Sequence, residues 1–203
     1  MTSEGETAGR FRPKDSGDDS SRGERHRVLA EALNHYGLWD HLPAEQRGSA
    51  MADVAAGSYP LRLGLLLEQI VFWADGEELA EGGVEEFLRT LAPALARCGV
   101  VLEVETIRDT DDYTVSINGT RYVVLRPEDR EHGDSWALAT VRPLAVVNRL
   151  LAAAGRSPLR VHTLHTTGGN DGLALLMDPR AAEAMRASGL FSEHNVPKPA
   201  EWE

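Results

Sequence analysis

His162 and His165, with the glycine-rich run that follows them, are the residues best suited by type to do chemistry. The stretch from Leu159 to Asp178, LRVHTLHTTGGNDGLALLMD, holds two of the seven histidines beside the densest cluster of Gly, Asn and Asp in the chain. An imidazole can serve as a base near neutral pH or as a metal ligand. A loop of Gly168, Gly169, Asn170, Asp171 and Gly172 can bring bare backbone close to a ligand or hold an anion on its amides. If the flanks are strands, residues three apart point to opposite faces. His162 and His165 would then share a metal only across a bulge near Leu164. No His-x-x-x-His spacing occurs and no cysteine lies nearby, so neither a metal nor a cofactor is expected. Asp171 would oppose an anion, and the loop leads into a strand rather than the helix N-terminus that phosphate loops use. Turn formation accounts for the glycines and Asn170. His162, His165, Gly169, Asn170 and Asp171 therefore stand as candidates for binding, and none is assigned as catalytic.

Other groups point less clearly to a site. Glu103, Glu105, Asp109, Asp111 and Asp112 crowd one end of a hairpin and could hold a cation or do acid–base work. Their spacing fits no calcium loop, and a solvated acidic rim is the expectation. Cys98, the only cysteine, sits near a helix C-terminus, where the dipole disfavours a thiolate. Trp39, Trp73 and Trp136, with Arg142, are of the types that dominate binding surfaces. Trp136 and Arg142 join the candidate list, although large aromatics more often anchor a core.

Composition narrows the classes. The chain has 203 residues and a formal net charge of −11. Phosphate neutralisation drives nucleic-acid binding, and no basic face is visible to supply it. The acidity instead suits a basic protein partner. Lys14 and Lys198 are the only lysines, and scarce Lys with abundant Arg and Ala is the coding bias of a GC-rich bacterial genome. The first 19 residues have no apolar core of the kind a signal peptide needs, and no apolar run approaches bilayer length. The expectation is a cytoplasmic bacterial protein that binds neither membrane nor nucleic acid.

The elements that must position these residues follow from hydrophobic period. Residues 1–25 are polar and aperiodic and predict a disordered tail. A helix over His26–Tyr36 would turn Val28, Leu29, Ala32, Leu33 and Tyr36 inward. Leu61–Ala74 reads as a buried helix, and Gly83–Cys98 as an amphipathic helix kinked or bounded at Pro93. Val100–Ile107, Asp112–Ile117 and the segment after Asn118–Gly119 read as three strands. Asn-Gly predicts a type I′ turn that sets Ile117 against Thr120, Val115 against Tyr122 and Tyr113 against Val124. A helix follows, starting at about Arg142 or, kinked at Pro143, at Ser135. After the Leu159–Met177 hairpin comes a helix with Asp178 as N-cap and Pro179 in its first turn. Residues 192–203 predict a loosely attached tail.

The predicted fold is α+β: one mostly antiparallel sheet of about five strands, arranged as a three-strand meander, a helix and a hairpin. Helices pack on one face and a helical segment precedes the sheet. One domain spans 26–191, helical over 26–98 and mixed over 100–191. The leading functional expectation is a non-catalytic protein-binding module of regulatory or immunity type. The alternative is a small-molecule binder or hydrolase-like enzyme at the 162–172 hairpin, helped by Arg121 or Arg142. Self-association through an exposed sheet edge is a third possibility.

Overall fold

The computed structural model describes residues 16–61, 69–108, 111–131, 133–165 and 171–202. The fold is α+β, with two antiparallel sheets rather than one. In chain order the elements are α1 (Ser16–His35), α2 (Ala44–Ala55), β1 (Val71–Asp75) and α3 (Gly76–Glu78). A π-helical turn (Leu79–Gly83) then leads into α4 (Val84–Arg97). The meander β2 (Val104–Ile107), β3 (Tyr113–Ile117) and β4 (Thr120–Leu125) follows, then α5 (Pro127–Glu131) and α6 (Ser135–Ala154). The chain closes with β5 (Arg160–His165), β6 (Asp171–Met177), α7 (Pro179–Ala187), a 3-10 turn (Glu193–Asn195) and β7 (Lys198–Pro199).

The β5–β6 hairpin is the centre of a four-stranded sheet ordered β1-β6-β5-β7. β6 is apolar on both faces, and its period of two divides it between two cores. Leu173, Leu175 and Met177 join α1, α2 and α7 in one core. Ala174 and Leu176 join α4, α6 and the meander in the other. Helices thus cover both faces of this sheet, not one. Helices on one face alone would have left the other face of so apolar a strand in water.

β1 departs from the expected helix over 61–74. Residues 62–68 lie outside the described residues, but Val71–Asp75 is an edge strand paired with β6 from Val71↔Leu175 to Asp75↔Asp171. A short run such as Ile70–Ala74 suits a buried helix or a strand equally by period. The free edge of β6 supplies ladder partners and decides the outcome. Asp75 then starts α3 by accepting hydrogen bonds from the Glu77 and Glu78 amides at 3.0 and 3.2 Å.

The meander forms as its turn predicts. Asn118 and Gly119 take φ of +50° and +78°, and Ile117 faces Thr120 while Val115 faces Tyr122. A bulge between Tyr113 and Thr114 shifts the last pair, so Tyr113 faces Leu125 instead of Val124. The Asn118 side chain also ties down the approach to β2. It accepts from the Glu103 amide at 2.8 Å and donates to the Val101 carbonyl at 3.0 Å.

The helices refine the expected boundaries. α1 begins at Ser16, so residues 16–25 extend a helix and are not a disordered tail. An i,i+3 pair, Arg27 with Glu24 at 2.5 Å, lies on this polar stretch. The inward face is His26, Leu29, Ala30 and Leu33, while Val28 is exposed. Both prolines lie inside continuous helices: Pro93 in α4 and Pro143 in α6. α6 starts at Ser135, the earlier of the two expected positions. Among the described residues it is the one helix with the length and apolar content of a membrane span. Eight of its residues are buried, including Leu144, Val147 and Leu151, and packing on both sheets accounts for its apolarity. α7 starts as predicted, with Asp178 accepting from the Arg180 amide and Pro179 in the first turn.

The segment past residue 191 is docked, not loose. β7 pairs with β5 at His162↔Pro199 and Thr163↔Lys198, and Val196 and Ala200 are buried. Asn148 of α6 holds it. Its Nδ2 donates to the carbonyls of Val161 and Ala200 at 2.8 and 2.9 Å, and its Oδ1 accepts from the Val161 amide at 2.7 Å.

Candidate functional site

β5 carries His162 into the core rather than to a surface. Alternation along the strand places it opposite Leu175 of β6, with Pro199 of β7 on its other flank. The residue is 0% exposed. Its Nδ1 lies 3.1 Å from the Arg160 carbonyl oxygen, and its Nε2 finds no hydrogen-bond partner among the described residues. Burial pulls its pKa below the ordinary 6.5, so the ring is neutral at physiological pH. A sealed imidazole cannot reach a substrate or a solvent-borne metal.

The other hairpin candidates do not assemble around it. The β5–β6 ladder runs without a shift from Arg160↔Met177 to His165↔Gly172. The backbone therefore lacks the bulge that a site shared by His162 and His165 would need. Asp171 opens β6 opposite Asp75 of β1. Gly169 and Asn170 lie outside the described residues. Arg121 is exposed on β4, opposite Ser116 of β3.

Arg142 is engaged in holding structure. It forms a two-pronged ion pair with Asp129 of α5, one arm at 3.2 Å, and donates to the Val124 carbonyl at 2.8 Å. Its guanidinium also stacks on the Trp202 ring, 4.4 Å from the centroid. Hydrogen bonding from Arg142 holds the Asp129 carboxyl below the usual carboxylate range. Trp136, at the start of α6, is 44% exposed, and Trp73 and Trp202 are comparably open. Trp39 is a core residue.

The charged cleft lies elsewhere, where the open end of the meander meets the start of α4. Its volume is about 620 Å³. Five carboxylates line it, Glu81, Glu85, Glu86, Asp111 and Asp112, with three guanidiniums, Arg89, Arg108 and Arg130. Gly82 lines the near lip, and Gly83 follows it into α4. Gly82 has φ of +123° inside the π turn, a value that L side chains rarely adopt. A Cβ on Gly83 would come within 2.9 Å of the Glu78 carbonyl oxygen. The turn leads into the first turn of α4, where Glu85 and Glu86 complement the helix dipole.

Glu85 is fixed in place. It pairs with Arg89 one turn on and accepts from the Thr106 amide at 2.8 Å. That second bond covers a ladder position on the edge strand β2, as natural sheets require of exposed edges. Hydrogen bonding from Thr106, with Arg89 and Arg108 adding, holds the Glu85 carboxyl below its ordinary value. Tyr113 moves the other way. Burial raises its pKa, with the Glu85 charge adding to the effect, and its hydroxyl accepts from the Val84 amide at 3.1 Å. Neither group is tuned toward proton transfer near neutral pH. Among the described lining residues there is no histidine, cysteine, serine or lysine. Among the described residues no group of three or more His, Cys, Asp or Glu is placed to hold a metal ion. The arrangement can pair with charged groups of a ligand.

Sequence spacing singles out Asp111 and Asp112 of this cleft but misses Glu81, Glu86, Arg89, Arg108 and Arg130. The i,i+4 pair Glu85–Arg89 is readable as a helix-surface pair. What sets it across from Asp111 is the packing of α4 on the meander, which no local pattern encodes. No protein-family model, curated protein or solved structure matches this chain.

Proposed function

We propose that this chain is a non-catalytic, cytoplasmic protein-binding module of regulatory or immunity type, which takes a basic partner at the cleft between α4 and the meander. The observation that carries this reading is the cleft wall: five carboxylates around an open space, without an imidazole, thiol or ammonium among the described lining residues. Arg89 is already neutralised by Glu85 and Glu86. Glu81 and Asp111 line the same cleft beside Arg108 and Arg130. Carboxylates of this kind speed encounter with a basic surface, and the two arginines discriminate among partners by repelling misplaced cations. The net charge of −11 adds long-range steering toward the same class of partner. An enzyme site at the 162–172 hairpin has less support, because His162 is sealed within the core.

The test is charge-matched. A partner recovered with the wild-type chain is titrated by calorimetry against Glu81→Gln/Glu86→Gln/Asp111→Asn. The control, Glu31→Gln/Glu45→Gln/Asp53→Asn, removes the same charge from exposed positions on α1 and α2. The cleft variant should bind about tenfold more weakly or worse, and the control within about threefold of wild type. Equal losses in the two variants would reject the cleft as the binding site.

A further inference from the structure

We propose a second, separate site on this acidic protein: a groove along α6 that binds a small organic carboxylate with a flat apolar body. The groove encloses about 290 Å³ and is walled by Ala145 and Ala152 of α6, Pro199 and Ala200 of the docked tail, and the Trp202 ring. That volume is near the lower end of the range for small-ligand sites. Arg149 and Arg160 stand on its lining, with Glu201 as the one carboxylate.

The charge state of these arginines is what identifies the ligand. Arg47, Arg180 and Arg186 each pair with a carboxylate, Asp40, Asp178 and Glu183 respectively, and among the described residues the two arginines of the groove do not. Arg149 has no carboxylate partner among the described residues and lies 5.9 Å over the Tyr122 ring. Arg160 donates only to backbone, at the Ser157 and Leu159 carbonyls. A guanidinium offers a planar fork of donors matched to a carboxylate. An apolar body attached to that carboxylate would lie against Trp202 and the proline and alanine wall, where aromatic stacking and burial favour a flat group.

The groove is also pre-formed. Asn148, at its floor, bonds both β5 and the tail, and Arg142 stacks on Trp202 from outside the groove lining. Binding therefore need not order the wall, which removes a cost that weak ligands rarely overcome. Glu201 opposes the anion, so its neutralisation should tighten binding.

The probe is 4-phenylbutyrate, with 4-phenylbutan-1-ol as its neutral analogue, followed through the Trp202 indole N–H in nitrogen-15 NMR and assigned by its loss in Trp202→Phe. The acid should give saturable shifts at Trp202, Ala145, Ala152 and Ala200, with the alcohol weaker by about tenfold or more. Arg149→Gln/Arg160→Gln should reduce acid binding to the level of the alcohol, with the rest of the spectrum unchanged. Glu201→Gln should tighten acid binding severalfold. The proposal is overturned if acid and alcohol bind alike, if the double variant binds the acid as wild type does, or if neither probe saturates by about 20 mM, beyond the millimolar range of weak specific sites.

Discussion

Replacing Asn148 by alanine removes three hydrogen bonds at one point, where α6, β5 and the C-terminal segment meet. The Val161 amide loses an acceptor at 2.7 Å, and the Ala200 carbonyl loses a donor at 2.9 Å. The Val161 carbonyl loses a donor at 2.8 Å but keeps the Ala200 amide at 3.1 Å. Val161 and Ala200 are both fully buried, so the abandoned groups are poorly placed to find water. Each bond is worth about 1 kcal/mol net, and a buried group left unpaired costs roughly 1–3 kcal/mol. With one of the three groups still satisfied, the sum is about 3 kcal/mol. For a chain of this size that is a fall in Tm of roughly 6–12 °C. Asn148→Asp should be at least as damaging, since it keeps the acceptor but sets a carboxylate against two carbonyls. Urea unfolding followed by circular dichroism measures the total. Amide exchange at Ala200 reports whether the tail is released first, as a clasp at this point requires. A loss below about 1 kcal/mol with unchanged exchange at Ala200 would refute the role given to Asn148, because a single ordinary bond would then account for it.

Arg142→Met should cost about 2–4 kcal/mol, since it leaves the part-buried Asp129 without its guanidinium and frees Trp202, to be read from urea midpoints and a shift in Trp202 emission. Gly82→Ala should cost roughly 1–3 kcal/mol through its φ of +123° and weaken partner binding at the cleft, whereas Gly48→Ala, a helical position with open space around it, should be neutral or stabilising in the same unfolding assay. His162 should make the fold acid-sensitive. Burial lowers its pKa in the fold below 6.5, outweighing the raising influences of the Arg160 carbonyl, Glu201 and Asp178, while Arg186 lowers it further. Its stability contribution is then complete above the unfolded pKa and is lost as pH falls below about 6.5 toward the folded value, at no more than about 1.4 kcal/mol per pH unit. Urea midpoints of wild type should fall between about pH 7.5 and 5.5, a window in which carboxylates contribute little, and His162→Leu should flatten that fall. An equal fall in both proteins would assign it to other groups, among them His26, which is also buried with a lowered pKa.

Local chemistry made some of this molecule legible and long-range pairing made the rest opaque. Asn118–Gly119 and Asp178–Pro179 act through their own backbone preferences, and both stand where the sequence places them. The LALLM run of β6 was recognisable as a strand, but its division between two cores depends on helices far away in the chain. Ile70–Ala74 resembles a helix by composition, and the strand forms because β6 offers an edge. The docked tail depends on Asn148, one of few polar residues on an apolar helix, whose partners lie 13 and 52 positions away. Among the candidate residues, His162 proved to be core and Arg142 a clasp. A run of acids marks Asp111 and Asp112 in the sequence, while nothing local marks the arginines that share their cleft.

The most direct test of the central claim is where a partner touches this chain. Zero-length carbodiimide cross-linking of the complex, followed by peptide mass spectrometry, joins partner lysines to carboxylates in contact with them. The account predicts links to Glu81, Glu86 and Asp111 around the cleft of α4 and the meander. Links confined to exposed acids of α1 and α2, such as Glu31 and Glu45, would contradict it.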